Sequence, residues 1–272
     1  LKSRTIKLLV ADLDGTTIDR EENLPPLNAQ AFDFLRKIDV QLSVASGRAA
    51  FSVIEFARKL RISVPVIAHN GSMILNPDGT GLYARLLDAG TVKSVLEQIP
   101  RRIAAYGIFT DHVLYEGDRA DDRMRLLRLW GHRRYDHEEG WTRSPPGDMP
   151  MLHMIGDSED VKEAAQRLGH INGITPRIYA SGRSTWHHLE VRAGRDDKGS
   201  ALRWLMNHLG LEKGSVMAAG DWLNDIPMLT EAGCSVAMSE ASDEVKKAAS
   251  FTAPLKAAEG GLGRFILDYF EA

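Results

Sequence analysis

At 272 residues, with 43% hydrophobic and 26% charged side chains, the chain has the balance of a globular protein and enough apolar material for a sizeable core. A net charge of -3 gives no overall basic field to attract a nucleic-acid backbone, and the single cysteine, Cys234, excludes an intramolecular disulfide or a multi-cysteine metal cluster. No apolar run approaches the roughly 20 residues needed to cross a bilayer, and the opening LKSRTIKLLVADLDG reaches acidic residues too soon for a signal peptide, so a cytoplasmic protein without a membrane partner is expected.

Ile6 to Ala11, rich in Leu and Val, predicts a buried strand that Asp12 to Thr17 ends as a loop. Helical spacing follows through Ala31, Phe32, Leu35 and Ile38, and Val40 to Ala45 predicts the next strand. Ser46 is placed to cap a helix over Ala49 to Leu60. A third apolar stretch, Val64 to Ala68, stops at Asn70-Gly71, and Ser72 to Leu75 with Leu82 to Leu87 predict a hairpin around Asn76-Pro77-Asp78-Gly79.

The middle of the chain has an α+β texture. It predicts a helix near Val92 to Ile99 and strands at Ile103 to Phe109, Val113 to Tyr115, Met151 to Ile155, Ile174 to Ala180 and Thr185 to Leu189. Glu138 to Pro150 is a loop by its Pro and Gly content, and the mixed charges of Arg119 to Arg134 read as a solvated helix face. Thereafter Gly199 to Leu209 is helical, with Ala201, Leu202, Leu205 and Leu209 on one face. Val216 to Ala219 is a strand ending at Gly220-Asp221, and Ser235 to Met238 is another. Alternating buried strands and amphipathic helices predict an α/β fold with a doubly wound, mostly parallel sheet. Residues 83–188 form an inserted α+β domain, and residues 1–82 and 189–272 form the core. Such sheets bind ligands beyond the carboxyl ends of their strands, where Asp12 and Ser46 fall.

The sharpest chemical signal is Asp12-Leu13-Asp14-Gly15-Thr16. A D-x-D-G-T match arises by chance in roughly one chain in three hundred of this length. An Asp-rich turn alone does not require the second carboxylate two residues on, whereas phosphoryl transfer uses one carboxylate to attack and another to handle the proton. Lys198 reads either as a solvated lysine at a helix start or as a cation for phosphate oxygens. Asp221 and Asp225 either cap the helix that follows or, with Asn224, offer oxygen ligands to a hard cation. Asn70-Gly71 is explained by turn chemistry alone and is left out of the catalytic set. Cys234 reads as a small core residue. His187 and His188 lack metal-ligand spacing and either pack or face a substrate. Trp130, Trp141 and Trp186 serve equally well as core or as stacking surfaces.

Asp12 to Thr16, Ser46-Gly47-Arg48, Asp197-Lys198-Gly199-Ser200-Ala201-Leu202 and Gly220-Asp221-Trp222-Leu223-Asn224-Asp225, in that order, resemble the four motifs of the haloacid dehalogenase superfamily. Within it the chain is similar to the Cof-like sugar-phosphate phosphatases, which carry a large α/β cap between the second and third motifs. The resemblance implies a Rossmann-like core, an inserted cap that selects the leaving group, and a magnesium-dependent phosphatase acting on a small phosphorylated metabolite. Asp12 is then the nucleophile, Asp14 the general acid and base, and Lys198 the catalytic cation. Ser46, Gly47, Lys198 and Asn224 bind phosphate. The metal binds the Asp12 and Asp221 carboxylates and the Asp14 backbone carbonyl, with Asp225 as a ligand or one water removed.

The mechanism implied is attack of Asp12 on phosphorus to form an aspartyl phosphate, which water then hydrolyses. Asp12 must start ionised and Asp14 protonated. Two alternatives stand beside it. One is a phosphosugar mutase of the same superfamily, and the other a non-enzymatic module that senses phosphorylation. Two positions depart from the family pattern: Thr17 replaces an apolar residue, and Met238-Ser239-Glu240-Ala241 puts a carboxylate where an amide usually supports the metal loop. A monomer or small homo-oligomer is expected.

Overall fold

The computed structural model describes residues 6–116, 122–123, 134–180 and 185–271. Most of Arg119 to Arg134, including Trp130, lies outside them. The chain divides into two compact units, one formed by residues 1–47, 53–82 and 197–272, the other by residues 48–52 and 83–196.

In the first unit, strands β1 (Leu8–Ala11) and β2 (Gln41–Val44) pair in parallel, joined by helix α1 (Pro26–Lys37). Every residue of β1 is buried, as expected of a strand covered on both faces. Helix α2 (Ala50–Lys59) leads to a small sheet of β3 (Val66–Ala68), β4 (Met73–Leu75) and β5 (Gly81–Ala84). The predicted turn closes β4 on β5, with Asn76 N–H donating to Thr80 O and Gly79 N–H to Asn76 O. Ser46 lies four positions ahead of the first helical residue of α2, and its carbonyl accepts from Asn70 N–H at 3.0 Å.

The second unit holds a six-stranded, mostly antiparallel sheet in the order β10-β11-β9-β6-β7-β8. Its elements are helix α3 (Ala89–Gln98), β6 (Ala104–Ile108), β7 (Val113–Tyr115), β8 (Tyr135–His137), β9 (Met151–Asp157), helix α4 (Ser158–Leu168), β10 (Ile174–Ala180) and β11 (Trp186–Ala193). Neither β8 nor α4 was anticipated from the sequence, and β11 runs past the expected Leu189. Period-two alternation sorts this sheet. Leu152, Met154, Leu189 and Val191 join Val92, Val95, Val161, Ala164 and Leu168 in one core that also encloses Trp141. Tyr106, His153, His188, Glu190 and Arg192 lie on alternate positions of the same strands and are also buried.

The chain then adds helix α5 (Lys198–Leu209), β12 (Val216–Gly220), helix α6 (Ile226–Glu231), β13 (Cys234–Ala237), helix α7 (Asp243–Ala248), β14 (Phe251–Thr252) and helix α8 (Gly261–Glu271). The five-stranded order β14-β13-β12-β1-β2 is parallel throughout, with β1 central in the switch from one winding direction to the other. In α5, Met206 rather than Leu209 completes the buried face. Asn28 of α1 ties two distant places together: its Nδ2 donates to Thr17 O at 2.9 Å, and its Oδ1 accepts from Gly263 N–H of α8 at 2.7 Å. No helix among the described residues is long and apolar enough to cross a membrane.

Candidate active site

Strands β1 and β12 end side by side, and Asp12 N–H donates to Ala219 O at 2.9 Å, so the loops after both strands start from a shared anchor. Thr17 completes the Asp12 turn. Its hydroxyl donates to Asp12 O at 2.6 Å, giving this residue a use that the usual apolar side chain could not supply.

Lys198, the first residue of α5, reaches Asp12 Oδ1 at 2.5 Å and Asp225 Oδ1 at 2.6 Å from a fully buried position. Asp197 sets that reach by capping α5, its side chain accepting from Ser200 N–H at 2.8 Å. Asp225 Oδ2 in turn accepts from the backbone N–H groups of Asp221 and Trp222 at 3.0 and 2.9 Å, which folds the loop after β12 around one carboxylate. Thr16 Oγ1 donates to Asp221 Oδ1 at 3.2 Å, joining the first and fourth motifs directly.

One oxygen each from Asp12, Asp221 and Asp225 lies within 4.8 Å of the others. Asp14 contributes no carboxylate to this cluster; the resemblance asked of it only a backbone carbonyl. Three clustered carboxylates face one ammonium, so negative charge is in surplus. Burial pushes the Asp12 carboxyl up to about 7; Lys198 opposes the shift, while Asp225 and Asp14 reinforce it. Asp221 is likewise raised by burial and then by Asp12 and Asp225. For Lys198, burial alone would lower the pKa, but Asp12 and Asp225 outweigh it and raise it. The protein alone therefore works against the ionised Asp12 that the expected chemistry needs. An all-oxygen donor set with uncompensated negative charge fits a hard divalent cation, which would restore that ionisation.

Ser46 is buried just beyond β2, where Ala45 N–H donates to Ala11 O beside the Asp12 strand end. Asn224 Nδ2 donates to Asn70 Oδ1 at 2.9 Å, and Gly47 lies against the same Asn70 amide, so the phosphate-binding candidates share a neighbour. Asn70, left out on sequence grounds as a simple turn residue, is buried among them. The pair does turn β3 back onto antiparallel β4, and the signal that could have added a site role is its place directly after an apolar strand of the alternating α/β pattern, at whose carboxyl ends ligands bind.

Other candidates fall elsewhere. Glu240 is not one of the three clustered carboxylates: its Oε2 accepts from Ala257 N–H at 2.8 Å. Cys234 is buried in β13. Trp141 is core, and Trp186 packs beside the cluster of Tyr106, Ile108 and Met151. His188 is buried and paired with His153 at 2.9 Å, while His187 is partly exposed.

Comparison with known proteins places this geometry. The model of the haloacid dehalogenase-like hydrolase family matches residues 9–266. The 5-amino-6-(5-phospho-D-ribitylamino)uracil phosphatase YwtE of Bacillus subtilis is 26% identical, covering 96% of this chain and 97% of its own. The HMP-PP phosphatase of Cronobacter sakazakii is 27% identical over 86% of this chain and 84% of its own. A haloacid dehalogenase-like hydrolase from Bacteroides thetaiotaomicron superposes with a TM-score of 0.84 at 23% identity, covering 97% of this chain and 100% of that one. With the family model spanning both parallel-sheet halves and all four motif loops, the chain belongs to the haloacid dehalogenase-like hydrolases.

Proposed function

We propose that this chain is a magnesium-dependent phosphatase that hydrolyses small phosphate monoesters, sugar phosphates among them, through an aspartyl-phosphate intermediate. The observation that carries the reading is the convergence at one strand end: Lys198 lies 2.5 Å from Asp12, with Asp221 and Asp225 gathered around the same point. The names of the full-length relatives support hydrolysis of phosphorylated metabolites over other chemistry in the family.

Asp12 attacks phosphorus and the ester oxygen leaves with a proton from Asp14, which then takes a proton from the water that releases phosphate. Lys198 and Ser46 hold phosphoryl oxygens as their charge shifts, and Asn224 contributes a further polar contact. Asp225 holds Lys198 and the loop carrying Asp221 in place. Magnesium, held by Asp12, Asp221 and the Asp14 carbonyl, would supply charge neutralisation between nucleophile and phosphate. The second unit, which holds the inserted cap expected over residues 83–188, is assigned the choice of leaving group. The lone buried cysteine suits a reducing cytoplasm.

A phosphate-release screen over phosphorylated metabolites, with and without magnesium, tests the reading. Metal-dependent release of inorganic phosphate is expected, together with near-complete loss in a folded Asp12→Asn variant. Substantial turnover by that variant would refute the nucleophile, and interconversion of sugar phosphates without phosphate release would point to a mutase.

A further inference from the structure

The loop between β3 and β4 carries residue types that tolerate a left-handed backbone. His69, Asn70 and Gly71 have φ of 49°, 54° and 102°, three consecutive residues in the left-handed region. Such a run persists only where the surroundings hold it, and it concentrates at functional sites. Here the surroundings are elements that carry phosphate-binding candidates. Asn70 N–H donates to Ser46 O at 3.0 Å. A Cβ added at Gly47 would come within 3.0 Å of the Asn70 amide nitrogen, so the second-motif loop is pressed against that side chain. A Cβ added at Gly71 would come within 2.3 Å of Asp197 O, so the loop also abuts the residue that caps the Lys198 helix.

The side chain of Asn70 completes the arrangement. Its Oδ1 accepts from Asn224 Nδ2, so the Asn224 amino group is turned toward Asn70. The opposite end, Asn224 Oδ1, is buried and has no hydrogen-bond partner among the described residues. A buried acceptor left open in a site otherwise closely bonded is an acceptor reserved for a ligand proton or hydroxyl.

We infer that Asn70 is a positioning residue for ligand recognition: its left-handed loop joins Ser46, Asn224 and the Asp197 cap of the Lys198 helix, and its side-chain oxygen holds the Asn224 amino group, so that the Asn224 amide oxygen is left to accept from a substrate hydroxyl or the P–OH of a protonated phosphate. This rests on the phosphatase reading and extends it to a residue outside the four motifs. Without Asn70 the Asn224 amide loses the partner that fixes its orientation.

The test is a double-mutant cycle between Asn70→Gly and Asn224→Ala, reading kcat/KM on an aryl phosphate and inhibition by inorganic phosphate. Glycine adopts positive φ without strain, which offsets part of what is lost with a buried, hydrogen-bonded side chain, so Asn70→Gly should remain folded with a melting temperature somewhat below the parent's. Its kcat/KM should nonetheless fall by about tenfold, and its inhibition constant for phosphate should rise, as loss of one hydrogen bond predicts. In the Asn224→Ala background the same change should have little further effect. Asn70→Ala removes the same amide and must show the same non-additivity, which keeps the cycle readable if one variant folds poorly. Undiminished activity in Asn70→Gly, or equal fold-losses in both backgrounds, would overturn the inference. A parent that releases no phosphate from any ester would instead sink the phosphatase reading.

Discussion

Lys198 is held in a buried ion pair on each side, and the worth of such an arrangement shows when one partner is removed. Lys198→Met leaves Asp12, Asp221 and Asp225 without their ammonium. It should destabilise the metal-free fold by about 3–5 kcal/mol, read as a lowered melting temperature. Adding Asp225→Asn should recover part of that loss, because it removes one of the stranded charges; a double variant less stable than Lys198→Met would contradict this account. Activity should fall by about a hundredfold or more in both variants, since a cation on the transferred phosphoryl group is lost. Residues of this kind are legible in a sequence because their types are tied to one chemistry: Asp12, Lys198, Asp221 and Asp225 were each singled out, and the fold gathers all four. Asn70 was not, since Asn-Gly serves turns throughout proteins. Only the folded chain joins it to Asn224, 154 positions later.

Among elements, the packing of α1 on α8 sets where the Asp12 loop sits, because Asn28 bonds to both Thr17 O and Gly263 N–H. Gly263 lies in α8, where alanine would ordinarily be favoured by about 1 kcal/mol. A Cβ there would meet Leu27 O at 2.3 Å, a backbone atom that cannot rotate away. Gly263→Ala should therefore destabilise the protein by about 1–3 kcal/mol, the usual cost of overpacking. Thermal unfolding checks the sign, and a raised melting temperature would show that helix propensity governs this position. The close approach itself was not readable from spacing, although the strands were: β7 and β10 run over the expected residues, and β1, β2 and β12 fall within a residue or two of them. Helix α4 had a usable signal in Val161, Ala164 and Leu168, with Glu159 and Asp160 in the first turn and Arg167 in the last. It was hidden by the short strands around it, which drew the middle of the chain toward a β reading.

Across the molecule, buried titratable groups in the two units pull stability in opposite directions as pH changes. In the first unit, Asp12 is raised from 3.8 to about 7, chiefly by burial, and Asp221 shifts the same way. Between those pH values the folded state without metal binds more protons than the unfolded chain, so stability present below pH 3.8 is lost as pH rises through about 7. In the second unit, His188 is lowered from 6.5 to about 4 by burial and then by the charge of His187. Its neutral ring pairs with His153 at 2.9 Å, one ring donating and the other accepting, so a proton added to the accepting nitrogen removes that bond. Stability from this group is complete above pH 6.5 and lost as pH falls through about 4, on the order of 3 kcal/mol at full effect. Amide exchange in chelator, corrected for the intrinsic pH dependence of exchange, separates the two because opening is measured locally. Raising the pH from 5 to 7.5 should reduce protection in β1 and β12 and increase it in β9 and β11. Magnesium at pH 7.5 should restore the first pair of strands alone, by neutralising the carboxylates that drive the loss. A His188→Phe substitution should flatten only the trend in β9 and β11. If all four strands gained or lost protection together, the opposing charges would have to act through one cooperative unfolding step, and the assignment of separate electrostatic control to the two units would be wrong.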